Sequence, residues 1–338
     1  MKIIGTGKAL PSLSVTNDML AEFLDTSDNW ISTRTGIKER RLLSKDNLLG
    51  LTTDASRLAL ENAGITAADL DYIICSNVAN KYVTPALSCI LQGEINATCP
   101  CIDINGACAG FIYALDIAES FLQTKPYVNN VLVVCAEEPS RFTNWKERST
   151  SVLFGDGAAA VILSKGDDLK SALLTTTSNV DALYYQRDLE DSPYVEKKID
   201  AAPLVMNGKD VFKLAVASSV ADISEVVEKA GLTFKDIDYF MLHQANIRII
   251  DAICNQLQQP EEKFPHNIER YGNTSSASIP ILLDEMNRDG RLKKGSKIVL
   301  SAFGAGFTTG ACVIEWSKIS NEKTEKKYRS CLEVESAI

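Results

Sequence analysis

Short, uninterrupted apolar segments recur along this chain, and stretches with helical periodicity separate them. Tyr72–Cys75, Cys101–Ile104, Val131–Ala136 and Ala158–Leu163 each read as a short buried strand, because their apolar runs are too continuous for a half-exposed one. Between them lie Leu51–Ala63, with the helical period and a stop at Gly64, and Ala109–Leu122, an apolar helix. Ser151–Phe154 reads as a further strand, joined to Ala158–Leu163 by a Gly155-Asp156-Gly157 turn. That order predicts an α/β fold.

The second half repeats the theme. A long amphipathic helix, Val211–Ala230, stops at Gly231 and is followed by a strand at Tyr239–Leu242. Helices follow from about Ile247 and over Ile279–Arg288, and a strand pair, Lys297–Ala302 and Gly310–Glu315, ends the pattern. Gly166–Pro203 lacks clear periodicity and is assigned to the crossover between halves. With 338 residues the chain is long enough for about two domains, divided here into 1–165 and 166–316. The halves suggest a duplicated architecture, although no close sequence repeat links them. Residues 317–338 carry five basic and four acidic side chains and read as a flexible, solvated tail.

Composition narrows the class. Acidic residues outnumber basic ones, 44 to 35, so no basic face is available to replace the counterions of a nucleic acid. At 45% hydrophobic and 23% charged, the chain can fill a large core. The nine cysteines are sparse and sit in apolar surroundings, the pattern of a reducing compartment. There is no signal-length apolar stretch at the start and no membrane-length run anywhere, so a cytoplasmic enzyme is expected.

Three residues stand where chemistry is expected. Cys108 lies in Asn105-Gly106-Ala107-Cys108-Ala109-Gly110-Phe111, where a strand meets a helix start. A thiol there faces free backbone N–H groups and the positive end of the helix dipole, which favours thiolate. It would also serve as a small space-filler between helix and sheet. His243, one of only two histidines, closes the strand in Met241-Leu242-His243-Gln244-Ala245-Asn246 and is either a reactive group or a satisfied core residue. Asn273, in Gly272-Asn273-Thr274-Ser275, is by itself a turn or cap residue.

Together they say more. With Asp25–Trp30, Thr33–Ile37, Ala107–Phe111, Phe154–Ala158, His243–Asn246, Gly272–Ser275 and Phe303–Phe307, the sequence resembles the β-ketoacyl-acyl-carrier-protein synthase III family of thiolase-fold condensing enzymes. The resemblance extends nearly to Trp316. It implies a five-layered αβαβα thiolase-like fold of two similar halves, active as a homodimer, with Cys108, His243 and Asn273 as the catalytic triad. The implied reaction begins when an acyl-CoA acylates Cys108. Malonyl-acyl-carrier-protein then decarboxylates and attacks, giving a β-ketoacyl product, CoA and CO2.

A tetrahedral oxyanion needs preorganised N–H donors, which the family takes from the nucleophile's amide and from the loop Phe303, Gly304, Ala305, Gly306. The enolate left by decarboxylation needs donors too, and a neutral His243 and the Asn273 amide can supply them. No metal or redox cofactor is called for, because loss of CO2 generates the nucleophile. For CoA, the resemblance places the adenine between Trp30 and Arg148, with Arg34 and Thr35 near its phosphates and Asn246 in the substrate-binding set. Lys209 and Lys213, four apart, and Arg248 are a candidate patch for the acidic carrier protein. Thr84 falls where relatives place a bulky phenylalanine that limits the partner's acyl pocket, so a wider pocket is expected.

The asparagine at 273 separates this pattern from elongating relatives with two histidines. The loop at 303–307 lacks both the second cysteine of thiolases and the proline of chalcone synthases. Departures from the family are Asn207-Gly208-Lys209 in altered order, Asn255 and Gln256 where lysines are frequent, and Ala305 in place of a loop glycine. A dinucleotide reading of Gly155–Ala160 fails because a strand, not a helix, follows. Alternatives to condensation are a specialised relative with an unusual starter, simple acyl transfer, and a silent partner subunit.

Overall fold

The computed structural model describes residues 1–186, 194 and 202–318. In the first half five strands form one sheet in the order Lys2–Ala9, Gly157–Ser164, Asn130–Glu137, Tyr72–Ser76, Cys101–Ile104. In the second half four form another, in the order Leu169–Asn179, Gly306–Glu315, Lys297–Gly304, Tyr239–Leu242. Over four strands of each sheet the pairing directions agree, two antiparallel pairs and then a parallel one, and the first sheet adds a second parallel pair, Tyr72–Ser76 with Cys101–Ile104. The duplication is therefore one of topology, carried by two dissimilar sequences.

Alternation along the central strands builds the layers. Val131, Val133 and Cys135 face the helices Gly110–Thr124 and Ser278–Arg288, while Leu132, Val134 and Ala136 face the helix Leu48–Ala63 on the other side. In the second sheet Leu300 and Ala302 meet the same two central helices. Val299 and Phe303 face the outer pair Gly208–Lys229 and Ile247–Leu257. The order is helix, sheet, helix, sheet, helix, the αβαβα arrangement expected from the resemblance. Each large apolar side chain so buried contributes about 1.5–3 kcal/mol. Among the described residues no helix is long and apolar enough to cross a membrane.

Two expectations need correction. Ser151–Phe154 is not a strand: Arg148–Ser151 form a short helix, and Phe154 makes only an isolated bridge to Asn273. Asp156 explains why the chain turns there, since its carboxylate accepts from Ser140 N, Ser140 Oγ and Leu43 N and binds three segments together. Gly166–Pro203 is not a featureless crossover either. It holds the strand Leu169–Asn179, an edge strand whose polar outer run Thr175–Ser178 hides its periodicity, and the strand Leu183–Gln186, which pairs with Ala202–Met206 at the segment's end. Of the proposed tail 317–338, Ser317 and Lys318 are tied to the body, with Lys318 Nζ donating to the carbonyls of Ile4 and Asn62. The rest of it lies outside the described residues.

The bridge at Phe154 joins the halves next to Asn273, and Gly155 permits it. A Cβ at Gly155 would stand 2.1 Å from the Tyr271 carbonyl oxygen. Gly155→Ala is therefore expected to cost about 1–3 kcal/mol in a denaturant titration, the scale of forced overpacking, whereas Gly93→Ala, with nothing within 4 Å of the added carbon, should be neutral or slightly stabilising. Equal effects of the two would show that this contact is not tight.

Candidate active site

The central helices both begin at one place, and by the same device. A single 3-10 turn, Ala107–Ala109, precedes the helix Gly110–Thr124, and another, Ser275–Ala277, precedes Ser278–Arg288. Each turn opens on a non-glycine residue in the left-handed region, Ala107 at φ 48° and Ser275 at φ 52°. Such backbone is costly and persists only where its surroundings enforce it. Side chains do so here: Asn105 Oδ1 accepts from Ala107 N at 3.0 Å, and Asn273 Oδ1 accepts from Ser275 N at 2.8 Å. The two turns meet at Cys108, whose Sγ accepts from Ser275 Oγ at 3.4 Å.

Burial works on Cys108 against the helix start. It pushes the thiol up to about 12; the Ser275 hydrogen bond pulls the other way, and the nearby Glu137 adds to the rise. This opposes the thiolate expected from the helix start.

The loop Phe303–Phe307 lies directly on the Cys108 backbone. A Cβ on Gly304 would fall 2.6 Å from Cys108 N and 3.0 Å from the Ala107 Cβ, so only glycine lets the loop come this close. Thr308 Oγ1 fastens the contact by donating to the carbonyls of Gly106 and Ala305. Ala305 is not among the described non-glycine residues with positive φ, so its side chain is accommodated without left-handed strain. Gly306, at φ 133°, does need glycine. Phe303 stacks on Phe307 and meets the His243 ring edge-on with centroids 5.2 Å apart.

His243 follows the strand Tyr239–Leu242, and its amide donates to Ser301 O in the neighbouring strand. Its Nδ1 lies 2.8 Å from Ser278 Oγ in the first turn of a central helix. Burial without a counter-charge holds the imidazole down to about 3, which favours the neutral ring. Asn273 is buried, its backbone is fixed by Leu153 O and Gly155 N, and its side-chain oxygen is held by Ser275 N. That hold turns the amide nitrogen away from Ser275 and leaves it as the donor end.

The outlying candidates divide. Arg34 and Arg148 both lie over the Trp30 ring, 4.8 and 4.3 Å from its centroid. At 4.3 Å Arg148 already stacks on the indole, so no purine fits between them unless the arginine moves. Thr35 is buried, and its hydroxyl donates to Ile31 O and accepts from Ile37 N. It serves the helix end and does not reach out to a phosphate. Asn246 caps the helix Ile247–Leu257, with its Oδ1 accepting from Arg248 N at 2.9 Å. Lys209, Lys213 and Arg248 are exposed within the first two turns of two helices that pack together. Thr84 sits on an exposed loop with Tyr82 and Val83.

Residues 102–182 match the family described as 3-Oxoacyl-[acyl-carrier-protein (ACP)] synthase III, and residues 227–316 match its C-terminal portion. A β-ketoacyl-[acyl-carrier-protein] synthase III from Clostridium acetobutylicum is 42% identical over 94% of this chain and 99% of its own length. The chain belongs to the β-ketoacyl-acyl-carrier-protein synthase III family. Its fold agrees. The crystal structure of the synthase III from Aquifex aeolicus superposes with a TM-score of 0.86 at 39% identity, over 93% of this chain and 99% of that one. That from Thermus thermophilus gives 0.87 at 35%, over 94% and 100%. As a synthase III the protein is a chain-initiating condensing enzyme of the acyltransferase class.

Three members of this site carry no signal of their own in the sequence. Ser275 and Thr308 look like ordinary turn hydroxyls, and only the positive φ at 275 and the glycine beside Cys108 give them meaning. Glu137, at the end of an apolar strand, reads as a solvated strand terminus yet is fully buried.

The depressed His243 pKa fixes the sign of a pH test. A base held down to about 3 stays neutral on acidification, so the decarboxylation step should hold level from about pH 8 to pH 5. Loss of that step with a midpoint near the ordinary histidine value of 6.5 would mean that the ring titrates like an exposed imidazole.

Proposed function

We propose that an acyl-CoA acylates Cys108 and that malonyl-acyl-carrier-protein then condenses with the acyl-enzyme, releasing CO2 and a β-ketoacyl product. The observation that carries this reading is the contact of Gly304 with the Cys108 amide. It brings a second backbone segment against the sulfur's own N–H, where the carbonyl oxygen of a bound thioester would gain its negative charge. Sγ attacks the carbonyl carbon, the bond to the CoA sulfur breaks, and the acyl-enzyme remains. For the second half-reaction a neutral His243 and the Asn273 amide would hold the enolate oxygen as CO2 leaves. Its carbanion attacks the acyl carbon and frees Cys108. Chemistry of this kind needs no cofactor beyond the two substrates.

Trp30, Arg34 and Arg148 are proposed to hold CoA, with Arg148 leaving the indole as the purine enters; cation–π stacking exchanges one partner for another at little cost. Lys209, Lys213 and Arg248 would receive the acidic carrier, the role that two adjacent basic helix starts suit. A homodimer is proposed, in which the exposed loop with Tyr82, Val83 and Thr84 reaches the partner's acyl pocket. Threonine there would leave room for starters longer than acetyl. A cytoplasmic setting and a division of the chain near Lys165, with a short charged tail after 316, complete the reading.

Mass spectrometry tests it. Incubation with acyl-CoA should add one acyl mass, lost in Cys108→Ala; His243→Ala and Asn273→Ala should still take up the acyl group but lose malonyl decarboxylation by a factor on the order of 10² or more. Acyl labelling that persists in Cys108→Ala would move the nucleophile to another of the nine cysteines.

A further inference from the structure

The oxygen that holds the His243 ring also decides where the ring keeps its hydrogen. Ser278 opens the helix Ser278–Arg288 directly after the Ser275–Ala277 turn, and it is buried. Among the described residues its Oγ has two partners: Gln244 N donates to it at 3.3 Å, and His243 Nδ1 lies 2.8 Å away. The first contact has one direction, because a backbone amide only donates. The second could run either way, and a count of hydrogens settles it. A hydroxyl carries one hydrogen and two lone pairs. With a hydrogen on Nδ1, Ser278 Oγ would accept twice, and its own hydrogen would be left in a buried site without an acceptor. With Nδ1 bare, the hydroxyl donates to the ring, Gln244 N donates to the hydroxyl, and every group is satisfied. A buried donor without a partner is costly, so the second arrangement is favoured. The neutral ring then carries its hydrogen on Nε2, which makes no hydrogen bond among the described residues.

We propose that Ser278 is a positioning residue for His243: its hydroxyl donates to Nδ1 and so fixes the tautomer in which Nε2–H is the donor to the enolate oxygen. Ser278 touches no substrate atom and acts through the ring. The contact also sets direction, since the His243 amide is held by Ser301 O, Phe303 stands edge-on to the ring, and Ser278 fixes the Nδ1 side. Both enolate donors hang in this way from one helix start, Asn273 through Ser275 N and His243 through Ser278 Oγ. When the bond between the malonyl carbon and its carboxylate breaks, the electron pair passes into the enolate, whose oxygen meets an N–H already in place; the hydrogen stays on Nε2. The opposite tautomer would turn a lone pair toward that developing charge and repel it.

The inference rests on the proposed decarboxylation, so the test also reads the ring without any substrate. The chain has two histidines, so protein labelled with nitrogen-15 in its histidine rings gives two sets of ring signals. His266→Gln, at a partly exposed side chain beside Glu269, removes the second set and leaves that of His243. At pH 7 the wild-type His243 ring should show a protonated Nε2 and a bare Nδ1. Ser278→Ala should bring in the Nδ1–H form, while Ser278→Thr, which keeps the hydroxyl, should keep the wild-type pattern. Malonyl decarboxylation by Ser278→Ala should fall by about tenfold or more relative to acylation of Cys108 in the same variant, with Ser278→Thr restoring it. A wild-type ring with its hydrogen on Nδ1 overturns the inference, and that measurement needs no variant to fold. The wild-type tautomer persisting in Ser278→Ala overturns it too, whatever the rate, as does a changed tautomer with decarboxylation unaffected. A wild-type protein with the expected tautomer that releases no CO2 from malonyl-acyl-carrier-protein would instead defeat the proposed condensation and leave the hold of Ser278 on the ring standing.

Discussion

The site depends on the meeting of two helix starts. Each half of the duplicated fold sends one helix into the middle layer, and each of those helices is preceded by a 3-10 turn with one residue in the left-handed region. Ala107 and Ser275 hold that geometry at a cost which the Asn105 and Asn273 side chains offset. The consequence is that Cys108 and Ser275, far apart in the chain, face each other, and the positive ends of two helices converge on one sulfur. Gly304 then brings the third backbone segment onto the Cys108 amide.

Burial sets the charges there. It drives the Cys108 thiol up, the His243 imidazole down and the Glu137 carboxyl up, so each group is pushed toward its neutral form. Neutral, oriented donors favour oxyanions that appear only during reaction, because their dipoles are already in place. The same burial works against a thiolate at Cys108.

What could be read from sequence follows from the same physics. The central strands Val131–Ala136 and Ala158–Leu163 were legible because both their faces are buried and both must be apolar. The edge strand Leu169–Asn179 was not, since a Thr-rich outer half gives no alternation. Ser151–Phe154 looks like a strand by composition, but the Asp156 anchor to Ser140 and Leu43 turns the chain before a ladder can form. Cys108, His243 and Asn273 were found as parts of motifs. Thr35 belongs to a motif, and only the fold shows that its hydroxyl bonds Ile31 O and Ile37 N at the helix end. Ser275 and Glu137 carried no signal of their own: a turn serine and a strand-end glutamate acquire meaning only when the fold sets them behind the thiol.

The central claim is that acylation of Cys108 is followed by condensation. A single-turnover chase measures it: acyl-enzyme is formed and freed of excess acyl-CoA, malonyl-acyl-carrier-protein is added, and loss of the acyl mass, release of CO2 and formation of β-ketoacyl product are followed together. The account predicts that the three proceed at one rate and in equal amounts. Loss of the acyl group to carrier or water with no CO2 released would contradict it.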